Sequence, residues 1–460
     1  MNFSVQTARI LWIAAELGPE AQAGGLGEVV RALPPLLRQN GLDIAVCVPL
    51  HRALAQVARQ YRFVFDVCGH RLLVSEGERK GVPTFYVECA ELFDRAAIYG
   101  DPRDDAYRYG VFSRVAVEVG QQLGARALHA HDWHTALVPV LAGLHAPSLR
   151  TALTIHNVSY QGVVGSELVP ALGLPWSVAT EDGMGFGWQR VNLLKGGANA
   201  ATLLSTVSET HAHDMTTSEG GFGLHEIFAR RRADLVGIMN GIDTAAWNPA
   251  TDPALAHAFS SPEGKTENRA AMLRELGLAC EGALFVSVGR LVWQKGIDLL
   301  CQAARDVPVT LVIVGQGDAA VQAQAASLAR DFPERVRAHF TYDDALTRRL
   351  LAAADFFVMP SRFEPGGLAQ LQAQRYGAVP IVRRTGGLAE SVVDAASSGG
   401  NGLCFDDESV AGVSAALQRA RTFFADRLHF TAVRARAFVA SVDWRDRLPM
   451  YEKFYTRLLS

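Results

Sequence analysis

Between Pro360 and Glu390 a lone carboxylate, Glu364, stands beside two glycine pairs, Gly366–Gly367 and Gly386–Gly387, each followed by leucine. The apolar run DFFVMP leads into the first loop and AVPIV leads into the second, which carries Thr385. After each Gly-Gly-Leu the apolar residues recur at helical spacing. In a parallel sheet both loops fall at the carboxyl ends of strands, where open α/β folds take up ligands. A helix that opens on Gly-Gly offers backbone N–H groups, and its macrodipole favours an anion there. Upstream, Arg290 and Lys295 follow the run LFVSVG and put two fixed cations on another strand-end loop, where they suit a diphosphate. A carboxylate at such a place accepts hydrogen bonds from hydroxyls. The ligand that carries both a diphosphate and sugar hydroxyls is a nucleotide-sugar.

A second set of chemically capable residues lies in the first half. Asp132, in HAHDWH, follows an apolar run and could orient a sugar hydroxyl or an acceptor. His156 and Asn157 end the run TALTIH, and a lone histidine at a strand end is more often packed than catalytic. His129, His131 and His134 invite a metal reading, which the alternation of side chains across a strand opposes. Gly24 and Gly25 open a helix after the run ILWIAA, and Glu16 stands just past that run.

The elements that must hold these residues follow from periodicity. ILWIAA, IAVCVP, RALHAH, TALTIH and LLSTVS in the first half, and LFVSVG, VTLVIVG, DFFVMP and AVPIVR in the second, read as buried parallel strands alternating with helical segments. The echo of AGGLGEVV in TGGLAESVV suggests two similar doubly wound domains. The Pro- and Asp-rich stretch AWNPATDPALAH divides the two strand series. This gives an α/β chain with one domain over 1–246, a second over 247–443, and an amphipathic terminal helix over 444–460. Segments 174–192 and 214–226 are glycine-rich and irregular.

Composition limits the rest. Of 460 residues 49% are hydrophobic and 20% charged, with a net charge of −3, so there is no electrostatic case for nucleic acid or an anionic membrane. The six cysteines show no CxxC or metal spacing and read as reduced thiols of a cytoplasmic protein. ILWIAAELG is too short to span a bilayer and reads as a first strand rather than a signal peptide; no Arg/Ser-rich leader precedes it.

Seven motifs, in order, resemble those of bacterial glycogen synthases and plant starch synthases, retaining glucosyltransferases of the GT-B fold. They are GGLGEVV at 24–30, LFDRAAIYGD at 92–101, HAHDWHTAL at 129–137, TIHNVSYQG at 154–162, NGIDTAAWNPATDP at 240–253, GRLVWQKGIDLL at 289–300, and the stretch 360–390. The resemblance implies two Rossmann-like domains facing a central cleft, with the terminal helix crossing back onto the first. It implies ADP-glucose as donor, an α-1,4-glucan as acceptor, and no metal or other cofactor. By the same resemblance, Arg290 and Lys295 hold the donor phosphates and Glu364 meets the donor glucose. His156 lies beside the transferred sugar. Gln22, Gly24, Gly25, Asn240, Gly366, Gly367, Leu368, Thr385 and Gly386 contact the donor, the amides of Gly25 and Gly367 capping the diphosphate. Tyr342 stacks on the base. Asn157, Tyr160 and Gln161 line the acceptor path. Lys195 matches a family lysine without an assigned role.

The chain departs from the family pattern in three places. Gln22 stands where the family has the lysine of Lys-X-Gly-Gly-Leu, Gly366 where many bacterial members have cysteine, and Gln372 where many related enzymes place a second glutamate. The last departure opposes a two-carboxylate glycosidase arrangement. The first leaves open a glucosyltransferase with another donor or acceptor, or a weakly active glucan-binding partner.

Overall fold

The computed structural model describes residues 8–341 and 343–460. The chain forms two compact units: one runs to Met239 and is completed by Arg447–Ser460, and the other is Asn240–Asp446.

In the second unit six parallel strands are ordered Val336–His339, Thr310–Val314, Leu284–Val288, Phe356–Met359, Val379–Arg383, Leu403–Phe405. Numbered along the chain this is 3-2-1-4-5-6, the dinucleotide-fold order. The four central strands are β-branched and aromatic runs buried on both faces, which is why they read as continuous apolar segments. The order reverses between Leu284–Val288 and Phe356–Met359, which pair directly at Phe285 and Val286. That reversal puts the loops after Val288 and Met359 side by side.

The first unit repeats the design in a nine-stranded sheet. Its order is Leu235–Gly237, Leu203–Thr206, Arg150–Ile155, Ala127–His131, Ile10–Ile13, Ile44–Pro49, Val82–Glu88, His70–Arg79, Arg59–Val67. All neighbours are parallel except at one edge, where His70–Arg79 runs antiparallel both to Val82–Glu88 and to its hairpin partner Arg59–Val67. The order reverses between Ile10–Ile13 and Ala127–His131, so the loops carrying Glu16 and Asp132 are neighbours. The charged outer strand Arg59–Val67, with Arg59, Arg62 and Asp66, is the kind of edge that resists further pairing.

The echo between the halves is therefore architectural. The strands anticipated from continuous apolar runs are present. The hairpin, Val82–Glu88 and the short strands Leu235–Gly237, Val336–His339 and Leu403–Phe405 lie outside those runs. The terminal helix Leu448–Leu459 belongs to the first unit: Trp12 Nε1 donates to Tyr455 Oη at 2.7 Å, and Arg457 pairs with Asp234 at 2.8 Å. The segment from Asn240 packs with the second unit, where Ile242 pairs with Asp443 and Arg348 lies over the Trp247 ring. Among the described residues no helix is long and apolar enough to cross a membrane.

Candidate active site

In the second unit the sequence draws two loops together at the strand reversal. Lys295 ends a short turn, Trp293–Lys295, and Gly296 then starts the helix Ile297–Asp306 with φ +65°. A Cβ on Gly296 would lie 2.1 Å from the carbonyl oxygen of Pro360, so only glycine lets the two loops approach this closely. Polar bonds then join them. Arg362 N–H donates to Gln294 O at 2.8 Å, Gln294 Nε2 to Phe363 O at 3.1 Å, and Arg362 forks onto Asp298 at 2.8 and 2.7 Å. The result sets Lys295 Nζ on Glu364 Oε2, with Ser361 Oγ donating to the same oxygen at 3.2 Å. Glu364 is 6% exposed, and Arg290 is exposed on the same strand-end loop as Lys295.

The glycine loops pack against this pair. Gly386, at φ +44°, has no room for a Cβ against Glu364 O, and the Gly387 amide donates to Glu364 O at 2.9 Å and Pro365 O at 3.0 Å. That amide is spent on the backbone. The helices opened by the glycine pairs, Ala369–Arg375 and Gly386–Ser391, have seven and six residues, so the dipole they offer an anion is modest. Gly366 is buried while Gly367, Leu368 and Thr385 are partly open. Asn240 is buried, and its Oδ1 has no partner among the described residues. Tyr342 lies outside the described residues.

In the first unit the candidate residues are built around two carboxylates. Glu16 fills the amino end of the helix Gly25–Gln39: its Oε2 accepts from the amides of Ala23 at 2.9 Å, Gly24 at 3.1 Å and Gly27 at 3.2 Å. Its Oε1 accepts from Tyr99 Oη at 2.7 Å. The Gly24 amide is therefore spent on Glu16 rather than open to a diphosphate. Gln22 folds over Gly27 and donates from Nε2 to Gly24 O at 2.9 Å.

Asp132 ends the strand Ala127–His131 with φ 60° and ψ 179°, a region nearly closed to side chains other than glycine. Its Oδ1 accepts from the amides of His156 at 2.7 Å and Asn157 at 3.3 Å, so it braces the turn that presents His156. Burial pushes the Asp132 carboxyl up to about 7, against the pull of those two amides. His156 Nε2 lies 3.1 Å from His131 Nδ1, one ring donating and the other accepting. Burial holds His156 down to about 4, and holds His131 well below the ordinary histidine range. Both rings are thus neutral near pH 7.

Strand alternation does not separate the first two histidines of HAHDWH, contrary to expectation. His129 and His131 are two apart, so they share a sheet face, with ring centroids 4.3 Å apart. Three of their four ring nitrogens have other partners: His129 meets Tyr455 Oη at 2.8 Å and Thr154 Oγ1 at 2.6 Å, and His131 Nδ1 meets His156, while His131 Nε2 has no partner among the described residues. His134 points elsewhere and stacks on Tyr99 at 4.4 Å.

Asn157 Oδ1 accepts from Ser159 N–H and Oγ, at 3.1 and 2.7 Å. Tyr160 is exposed. Gln161 is buried, and both ends of its amide are bonded within the protein. Lys195 Nζ donates to Gly185 O at 2.7 Å, pinning the glycine-rich loop of 174–192. The sequence alone does not single out Ser361, Tyr99 or the Arg362–Asp298 fork, and it offers no pairing of His131 with His156. Ser361 and Arg362 lay inside a quoted motif; their role became visible only when the two loops were set side by side.

Residues 9–230 match the starch synthase catalytic domain, and residues 268–422 match glycosyl transferases group 1. Glycogen synthase 2 of Agrobacterium fabrum is 38% identical, over 98% of this chain and 93% of its own. The chain belongs to the glycogen and starch synthase family of glycosyltransferases. The catalytic domain of starch synthase IV from Arabidopsis thaliana, solved with ADP and acarbose, superposes with a TM-score of 0.90 at 32% identity, covering 98% of this chain and 99% of that one. Sucrose-phosphate synthase of Thermosynechococcus elongatus shares the fold, with a TM-score of 0.64 at 17% identity over 98% and 99% of the two chains. The family membership and the two parallel-sheet units make this a GT-B glycosyltransferase.

Proposed function

We propose that this synthase transfers glucose from ADP-glucose to the non-reducing end of an α-1,4-glucan, with retention at the anomeric carbon and without a metal or other cofactor. The observation that carries the site assignment is the Lys295–Glu364 pair at the strand reversal of the second unit, next to exposed Arg290. As the bond from the glucose anomeric carbon to the diphosphate oxygen breaks, negative charge grows on the departing nucleotide. Lys295 and Arg290 meet that charge with fixed cations. Glu364 accepts hydrogen bonds from glucose hydroxyls and balances positive charge at the ring. The glucan hydroxyl attacks the same face, and its proton passes to the departing phosphate oxygen. His156, neutral near pH 7, offers a hydrogen bond to the sugar, and Asp132 fixes the turn that carries it. In this reading Asn240, Gly25, Gly367 and Thr385 contact the donor, and Asn157 and Tyr160 the acceptor.

The six cysteines are unpaired, in keeping with a reduced, cytoplasmic setting. Incorporation of labelled glucose into glycogen, with ADP-glucose and UDP-glucose run in parallel, tests donor and acceptor together. Chain growth from ADP-glucose is expected. Growth from UDP-glucose alone would overturn the donor assignment.

A further inference from the structure

The buried amide of Gln161 ties three segments of the first unit together. Nε2 donates to Val158 O and to Phe222 O, each at 3.0 Å, and Oε1 accepts from Asn192 Nδ2 at 2.7 Å. Each tied segment carries an aromatic ring into solvent: Tyr160 is 46% exposed, Phe222 37% and Trp188 85%. Trp188 is displayed by a constructed turn. Gly187 at φ 65° and Gln189 at φ 48° flank it, the Phe186 amide donates to Arg190 O at 2.9 Å, and the Ser166 amide donates to Gln189 O at 2.9 Å. The left-handed region is unfavourable for Gln189, yet the fold keeps it there with the indole outward. One exposed apolar side chain needs no explanation, but several on loops tied to one buried polar hub mark a binding surface.

Tyr160 adjoins the candidate active site, because its amide donates to Asn157 O at 3.2 Å on the loop that begins with His156. From Tyr160 the chain runs through the strand Val163–Gly165 to Ser166, which bonds the residue after Trp188. At about 3.3 Å per residue that path is at most roughly 20 Å, the reach of a short oligosaccharide. An aromatic face presents negative potential, and the C–H face of a pyranose presents the complementary positive edge.

We propose that Tyr160, Phe222 and Trp188 form an aromatic rail that binds the α-glucan acceptor, with Trp188 its outermost contact. The proposal rests on the glucan-acceptor reading above.

The test is mobility in native gels containing soluble glycogen, with half-saturating glycogen and ADP-glucose concentrations measured alongside. Wild type is expected to be retarded by glycogen. Trp188→Ala is expected to weaken that retardation roughly three- to tenfold and to raise half-saturating glycogen by a like factor, from the loss of one ring contact. Half-saturating ADP-glucose should not move, which a merely structural defect would not spare. Trp188→Phe, which keeps a ring, should restore most of the retardation. Equal retardation of wild type and Trp188→Ala, with glucan synthesis intact, would overturn the rail and leave the proposed function standing. A wild type that neither binds glycogen nor extends it would overturn both.

Discussion

Removing the Lys295 ammonium tests the site through stability and turnover at once. The Lys295 side chain is 20% exposed and that of Glu364 only 7%, so the two partners are not equivalent. Lys295→Ala strands the carboxylate where little water reaches it, with Ser361 Oγ left to donate at 3.2 Å. Breaking a fully buried pair from one side costs about 3–5 kcal/mol and an exposed pair under about 1 kcal/mol, so this partly screened pair should cost about 1–3 kcal/mol. For a unit the size of Asn240–Asp446 that lowers Tm by roughly 2–12 °C. Glu364→Ala should cost less, because the freed ammonium can turn to water. The double variant should be about as stable as Glu364→Ala, since the stranded charge is gone. Turnover follows a different pattern: each single variant should lose about 10²–10³ in kcat, as expected for deleting one preorganised charge. Thermal melts and ADP release on the four proteins decide the matter. Additive losses in Tm, or wild-type turnover by Lys295→Ala, would refute the reasoning.

Gly296→Ala places a Cβ against Pro360 O in a left-handed backbone, so it should lower Tm of the second unit and weaken ADP-glucose binding at least tenfold, read by melting and donor titration. Asp132, raised to about 7 in the folded chain, contributes stability that is present below about pH 4 and lost as pH rises through 7. The Tm of wild type relative to Asp132→Asn should therefore fall from pH 4 to pH 7 and then level off. His156 carries the opposite sign: lowered to about 4, it contributes stability present above about pH 6.5 and lost as pH falls through 4, so a His156→Gln variant should melt with a shallower acid limb. Gln22→Lys should tighten ADP-glucose binding up to about tenfold by replacing a neutral hydrogen bond with a charge-assisted one; unchanged titration would show that the folded-back position of residue 22 keeps its side chain off the donor.

The central strands were legible because a strand buried on both faces must be apolar throughout, and the pairing of strand-end loops with glycine follows from that. The hairpin Arg59–Arg79 was not, because its edge strand is half-exposed and charged. The site was legible where chemistry sits in a contiguous motif, as at Glu364 with Gly366 and at Arg290 with Lys295. It was hidden where function is shared across the sheet. Nothing in the one-dimensional pattern says that Glu16 takes the amides of Ala23, Gly24 and Gly27, or that Tyr99 closes the same carboxylate. The His131–His156 contact likewise depends on neighbouring strands that are distant in sequence. Gln161, placed by resemblance in the acceptor path, proves to be a buried hub, and the exposed rings it organises are the part a substrate would meet.

The measurement that bears most directly on the central claim is glucose transfer from ADP-glucose to glycogen by the purified protein and by Glu364→Ala, each shown to be folded by its melt. The account predicts chain growth by the wild type, preferring ADP-glucose over UDP-glucose, and its loss in the variant. Near-wild-type transfer by Glu364→Ala, or no transfer by a folded wild type from either donor, would contradict it.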